Sequence, residues 1–303
     1  MTQSVTDALP LRARIAARLR DNETVDLWRR TFSYRSGKLG LILLGFLMGL
    51  AFVGPLFAPH GESEIVGIPY TPPSLDFPMG TDVLGRDALS RFLHGGDTVI
   101  VLSFLSTALG YIGGISIGLI SGYNRGRLDL VLMRVIDVAL AFPSLILVLV
   151  LVAGLGPQLW LVVVGIAFTH MPRVARVVRG ATQEVTVRSF VELAEARGER
   201  MPAILSREIL PNIWTPILAD FGIRLSTSVI LIASLSFLGF GLQPPAADWA
   251  LMVNENRPAL TLQPYAVVFP VIAIGLLTIA VNLAADAFAR AAGRSLDRRE
   301  LYT

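Results

Sequence analysis

The chain has 303 residues, of which 53% are hydrophobic and 16% charged, with a mean hydropathy of +0.62 and a formal charge of +3. A soluble domain carries about 25% charge, and here the apolar residues gather into runs as long as a bilayer crossing needs, which excludes a soluble globular protein. The absence of cysteine excludes a disulfide framework and a thiolate metal site.

The first 38 residues are basic, and the first long apolar run starts only at Leu39, too late for a secretory signal. Within them Leu11, Ile15 and Leu19 repeat at helical spacing among Arg12, Arg14, Arg18 and Arg20, the pattern of a helix lying on a membrane surface. Nucleic-acid binding is the less favoured alternative, because basic segments flanking a membrane are common. Six spanning segments are predicted, at about 39–58, 98–121, 133–154, 157–173, 217–241 and 265–289. The first is the clearest and the fourth the weakest. In lipid every backbone amide must find its partner within its own segment, so these runs are read as helices and the fold as all-α and polytopic. Pro143 and Pro270 are expected to kink the third and sixth segments.

Positive charge orients the chain. Of 26 Lys+Arg, eight precede residue 39, three lie at 125–134, seven between Arg173 and Arg207, and four from Arg290 onward. The other connections hold Arg86, Arg91 and Arg257, and Arg224 falls within the fifth segment. Both termini and the two basic connections are therefore expected on the cytoplasmic side of the inner membrane. The expected division is a basic segment (1–38), a first helix with an extracytoplasmic loop (39–97), a five-helix core (98–293) and a tail (294–303). Gly110, Gly114, Gly118 and Gly122 recur every four residues and make a smooth ridge for helix packing.

Other chemistries find little support. Asp137, Arg224 and Asp286 fall toward the cytoplasmic ends of their segments, where charges reach the interface, rather than at mid-membrane as ion coupling in a secondary transporter requires. His60, His94 and His170 lack metal-ligand spacing. Neither a His-Glu-x-x-His run nor a Gly-x-Ser-x-Gly elbow occurs, so no catalytic or metal residue is assigned. A phosphate-binding loop needs a lysine followed by a hydroxyl, and the single lysine, Lys38, is followed by Leu39.

The connection at about 174–215 is the most informative. A helix-forming run at 191–197 ends at Gly198, a C-terminal cap, and a second at 201–209 ends at Pro211. Spacing alone leaves two readings open, an amphipathic surface loop or a rigid element that carries force from a soluble motor into the bundle. Glu192, Ala194, Gly198, Ile209, Leu210 and Pro211 resemble the EAA loop of bacterial ATP-binding-cassette (ABC) importer permeases, with Leu193 departing from the usual alanine. Gly80, Thr81, Asp82, Gly85, Arg86, Asp87, Ser90 and Arg91 resemble a segment of oligopeptide and dipeptide permease C-type subunits. Two further blocks, 141–144 and 233–245, are similar to the same family, and together the blocks cover most of 39–293.

The resemblance implies a type I importer permease fold. It implies a second homologous permease subunit, two ATP-binding subunits that hold the ATP and magnesium, an extracytoplasmic substrate-binding protein and surrounding lipid. The chain itself would hold no cofactor, bind no nucleic acid and not be an enzyme. Glu192, Leu193, Ala194, Glu195, Ala196 and Arg197 would form a coupling helix on the ATP-binding subunit, with Gly198, Ile209, Leu210 and Pro211 shaping the loop, Ala194 facing the docking surface and Glu192 acting as polar anchor. Di- or oligopeptides would be the cargo, with nickel or another small solute the alternative.

Overall fold

The computed structural model describes residues 31–300, with side chains placed to 291. The basic helix read at Leu11–Leu19 and the end of the tail lie outside the described residues. The chain is helical: α1 is Arg35–Phe52, α2 Ala88–His94, α3 Asp97–Tyr123, α4 Arg127–Leu140, α5 Ser144–Leu155, α6 Leu159–Thr186, α7 Ser189–Ala196, α8 Trp214–Phe237, α9 Trp249–Asn256 and α10 Tyr265–Glu300. Five helical stretches, ending with α1, α3, α6, α8 and α10, are long and apolar enough to cross a membrane.

The third predicted span is corrected. Residues 133–154 form no single kinked helix but fall in α4 and α5, which meet at 79°. Pro143 is the N-cap of α5, in the extended backbone that its ring favours, so it ends one helix direction and starts another. The six-span count holds if this bent pair is one crossing. Pro270, by contrast, sits inside a continuous α10. The fourth segment, weakest in the sequence because its uninterrupted apolar core is short, belongs to the most enclosed of the long helices, with 61% of its apolar window buried. It runs to Thr186, past the expected end at 173. One face of α6 is enclosed by protein, while Trp160, Val164 and Phe168 remain exposed on it.

The partner of α6 is α3, and the glycine ridge is their contact. A Cβ at Gly114 would stand 2.6 Å from Val174 Cβ, at Gly118 2.6 Å from Val178 Cβ, at Gly122 2.6 Å from Thr182 Cβ, and at Gly110 2.9 Å from the Ala167 carbonyl oxygen. Nothing larger than hydrogen fits at these positions. The same device, unread in the sequence, seats α10. Gly40 of α1 would place a Cβ 2.7 Å from Ala284 N, and Gly222 of α8 abuts Ala285.

At the end of the bundle remote from α7, the segment between α1 and α3 folds onto α9. Asp82 Oδ1 accepts from Leu84 N (2.8 Å) and Arg86 N (2.9 Å), and Gly85 makes the turn at φ +79°. Asp87 caps α2 by accepting from Leu89 N and Ser90 N. Arg86 and Arg91, both almost fully buried, each place Nη2 2.9 Å from Glu255 Oε2, and Arg86 Nε lies 2.6 Å from Asp82 Oδ2. Trp249 stacks on Phe92 and donates from Nε1 to the Phe92 carbonyl at 2.8 Å. The polar residues of the 80–91 block thus fold a loop and lock it to a helix more than 150 residues away.

Candidate functional site

The connection leaving α6 is built inward first. The apolar residues of α7 are spaced so that Val191 and Ala194, three apart, fall on one face, and both are fully buried. They pack with Ile204, Leu205, Ile209, Ile213 and Ile217 from the following segment, and with Leu119, Val174, Val178 and Val185 of α3 and α6. The loop is therefore seated on the bundle by a small hydrophobic core of its own.

Gly198 ends α7 in the left-handed region, at φ +74°. Glu199 N donates to the Ala194 carbonyl (3.1 Å) and Gly198 N to that of Glu195 (2.9 Å), the paired bonds of a Schellman motif. No atom would obstruct a Cβ at Gly198, so backbone conformation alone demands glycine there. The second run is not the α-helix expected at 201–209. A short α-turn, Met201–Ala203, passes into a π-helical segment, Ile204–Ile209, and then a 3-10 turn, Leu210–Asn212. The wider π turn lets Ile204, Leu205 and Ile209 all face the core, while Pro211, which lacks an N–H, closes the segment and stays exposed.

One side-chain role read from sequence is corrected. Ala194 does not face outward, because three-residue spacing from Val191 puts it on the buried face. Leu193 takes the outward position and is 59% exposed. Glu192, Glu195, Ala196 and Arg197 are exposed with it. A polar tie to the bundle is made by Glu195: Tyr123 at the end of α3 donates its hydroxyl to Glu195 Oε1 at 2.7 Å. Arg197 pairs with Glu199 at 2.7 Å. The result is a short helix fixed along its inner face and capped at its end, presenting Glu192, Leu193 and Ala196 with nothing of the described chain over them.

Ion pairs lying behind this loop were not legible as pairs. Arg179 of α6 meets Asp129 of α4 at 2.6 Å, and Arg176 meets Asp137 at 2.5 Å, which ties α4 to the extension of α6. Their spacing across 39 and 50 residues leaves no local signal. Arg224 of α8 binds Asp220, with Nη2 2.9 Å from Oδ1, beside Tyr111, whose hydroxyl donates to Asp220 Oδ2 at 2.6 Å. Among the described residues no group of three or more His, Cys, Asp or Glu is arranged to hold a metal ion.

Residues 114–298 match the family described as the inner membrane component of binding-protein-dependent transport systems, and residues 24–73 match the N-terminal transmembrane domain of oligopeptide transport permease C. The chain belongs to this permease family. It is 34% identical over 263 residues to the glutathione transport system permease protein GsiD of Pectobacterium atrosepticum, covering 86% of this chain and 87% of that protein. It is also 34% identical over 286 residues to the GsiD of Escherichia coli O157:H7, covering 94% and 93%. With the dipeptide transport system permease protein DppC of Bacillus subtilis it shares 31% identity over 265 residues, covering 87% and 83%. Among solved structures, an inward-facing MetNI methionine ABC transporter superposes with a TM-score of 0.53 at 18% identity, covering 65% of this chain and 94% of that one, a likeness of fold. The chain is thus a multi-span permease subunit of an ABC importer. The permease displays α7 at one end of its bundle and the locked 80–91 loop at the other.

Proposed function

We propose that this permease forms one half of a heteromeric pore that imports di- or oligopeptides across the cytoplasmic membrane. α7 seats on an ATP-binding subunit, and both termini lie in the cytoplasm with it. A second permease completes the pore, two ATP-binding subunits supply the energy, and a binding protein docks at the opposite end. Hydrolysis belongs to the partner subunits, and the permease itself is not an enzyme. The observation that carries this reading is the exposed outer face of α7, held rigid by its own core and its Schellman cap. A protrusion that transmits force must not bend at its root, and this one is fastened at Val191, Ala194, Glu195 and Gly198.

The peptide class follows the names of the relatives, which are glutathione and dipeptide permeases. Reconstitution with the partner subunits in liposomes tests it. ATP-dependent uptake of labelled di- and tripeptides is expected with the cognate binding protein present. Uptake of nickel with none of peptide would overturn the substrate assignment.

A further inference from the structure

The bend between α4 and α5 places unusual chemistry inside the apolar slab. α5 rises about 18 Å from the α5–α6 turn to Ser144, and Arg173 lies about 21 Å along α6 from the same turn. Both depths fall within a hydrocarbon layer about 30 Å thick. The two positions meet: Arg173 Nη2 donates to Ser144 Oγ at 3.1 Å, and Nη1 to the Thr169 carbonyl at 2.8 Å. Ala141, Phe142 and Pro143, the non-helical residues of the bend, are exposed, and Arg173 is half-buried.

The hydrogen bond between His170 and Ser228 joins α6 to α8 about one turn from Arg173 and from Arg224, so the two guanidinium groups belong to adjoining helices. Asp220 is engaged with Arg224 and Tyr111. Arg173 has no carboxylate within ion-pair distance among the described residues. His170, one turn away and fully buried, bonds Ser228 Oγ through Nε2 at 2.8 Å, while its Nδ1 has no hydrogen-bond partner among the described residues. Exposed irregular backbone and an unneutralised arginine are both too costly against lipid, and are tolerated in the membrane where they line water or are covered by protein.

We infer that this face lines the aqueous path and that Arg173, backed by Arg224, receives a carboxylate group of the passing solute. A planar guanidinium pairs with a carboxylate through two parallel hydrogen bonds, which gives direction as well as charge. This role for Arg173 rests on the chain's being an importer permease but not on which solute is carried.

Because the chain has no cysteine, Ser144→Cys gives a unique thiol beside Arg173. In the assembled complex its rates with sulfonatoethyl and trimethylammonioethyl methanethiosulfonate are compared, each normalised to a free thiol. An anionic preference of about tenfold is expected. Arg173→Gln should bring the ratio to about one, and Arg173→Lys should keep it. N-acetyl-dialanine should slow the labelling severalfold and its C-terminal amide should not. An unreactive thiol, a ratio unmoved by Arg173→Gln, or equal effects of acid and amide would each overturn the inference. Failure of the parent complex to import peptides would count against the proposed substrate alone, since the labelling ratios need no transport.

Discussion

Neighbouring residues on α7 have opposite duties, and substitutions should separate them. Ala194 is buried against the permease's own core, so Ala194→Leu adds three carbons where there is no room. Overpacking of this kind costs about 1–3 kcal/mol, and a lower melting temperature and yield are expected in detergent. Leu193 is largely exposed, so Leu193→Ser should leave melting unchanged while reducing co-purification of the ATP-binding subunit. Leu193→Ser melting lower than Ala194→Leu would show that the buried and exposed faces have been exchanged. At the far end, Asp248 caps α9 by accepting from Ala250 N and Leu251 N. Burial, with Asp97 adding to it, pushes its carboxyl up to about 6, against the hydrogen bonds from Leu251 and Ala250. A carboxyl whose folded value is raised stabilises the fold at low pH, and that contribution is lost as pH rises through 6. The displacement corresponds to about 3 kcal/mol. Asp248→Asn keeps an acceptor for the cap and has no charge to bury. It should therefore melt higher than the parent at pH 7.5 and equal to it near pH 4; a variant that melts lower at pH 7.5 would contradict this.

At the scale of elements, the α3–α6 pair is the interface most sensitive to size. Gly114→Leu would drive a side chain into Val174 and the Met171 carbonyl, so the helices must part or shift. Loss of assembled permease from the membrane fraction is the expected outcome, and unchanged yield and activity would show that these helices can separate freely. The four-residue glycine period announced such a contact but not its partner, because the matching Val174, Val178 and Thr182 of α6, though also four apart, are residue types common on any helix face. Long lipid-facing helices were legible from hydropathy alone. The α4–α5 bend was not, because a run of apolar residues reads the same whether straight or turned by 79°. The π-helical segment after Met201 was equally hidden, since its form is set by three isoleucine and leucine side chains reaching one core rather than by local propensity. Gly198 was legible to its cap, while the inward face of Ala194 needed the position of Val191 relative to the bundle.

Across the whole molecule, two rigid ends bracket a helical bundle held together by small residues. One end is locked by Asp82, Arg86, Arg91 and Glu255. The other is locked by the apolar seat of α7 and the Tyr123–Glu195 hydrogen bond. In the proposed importer the first end receives the binding protein, the second receives the motor, and the bent α4–α5 pair with Arg173 lies between them. Docking of the motor on α7 is tested with a single cysteine, Leu193→Cys, carrying a benzophenone maleimide in the purified, hydrolysing complex. On illumination a covalent product of this permease with the ATP-binding subunit is expected. Products with the second permease, the binding protein or lipid alone, with the ATP-binding subunit unlabelled, would show that α7 does not carry the motor.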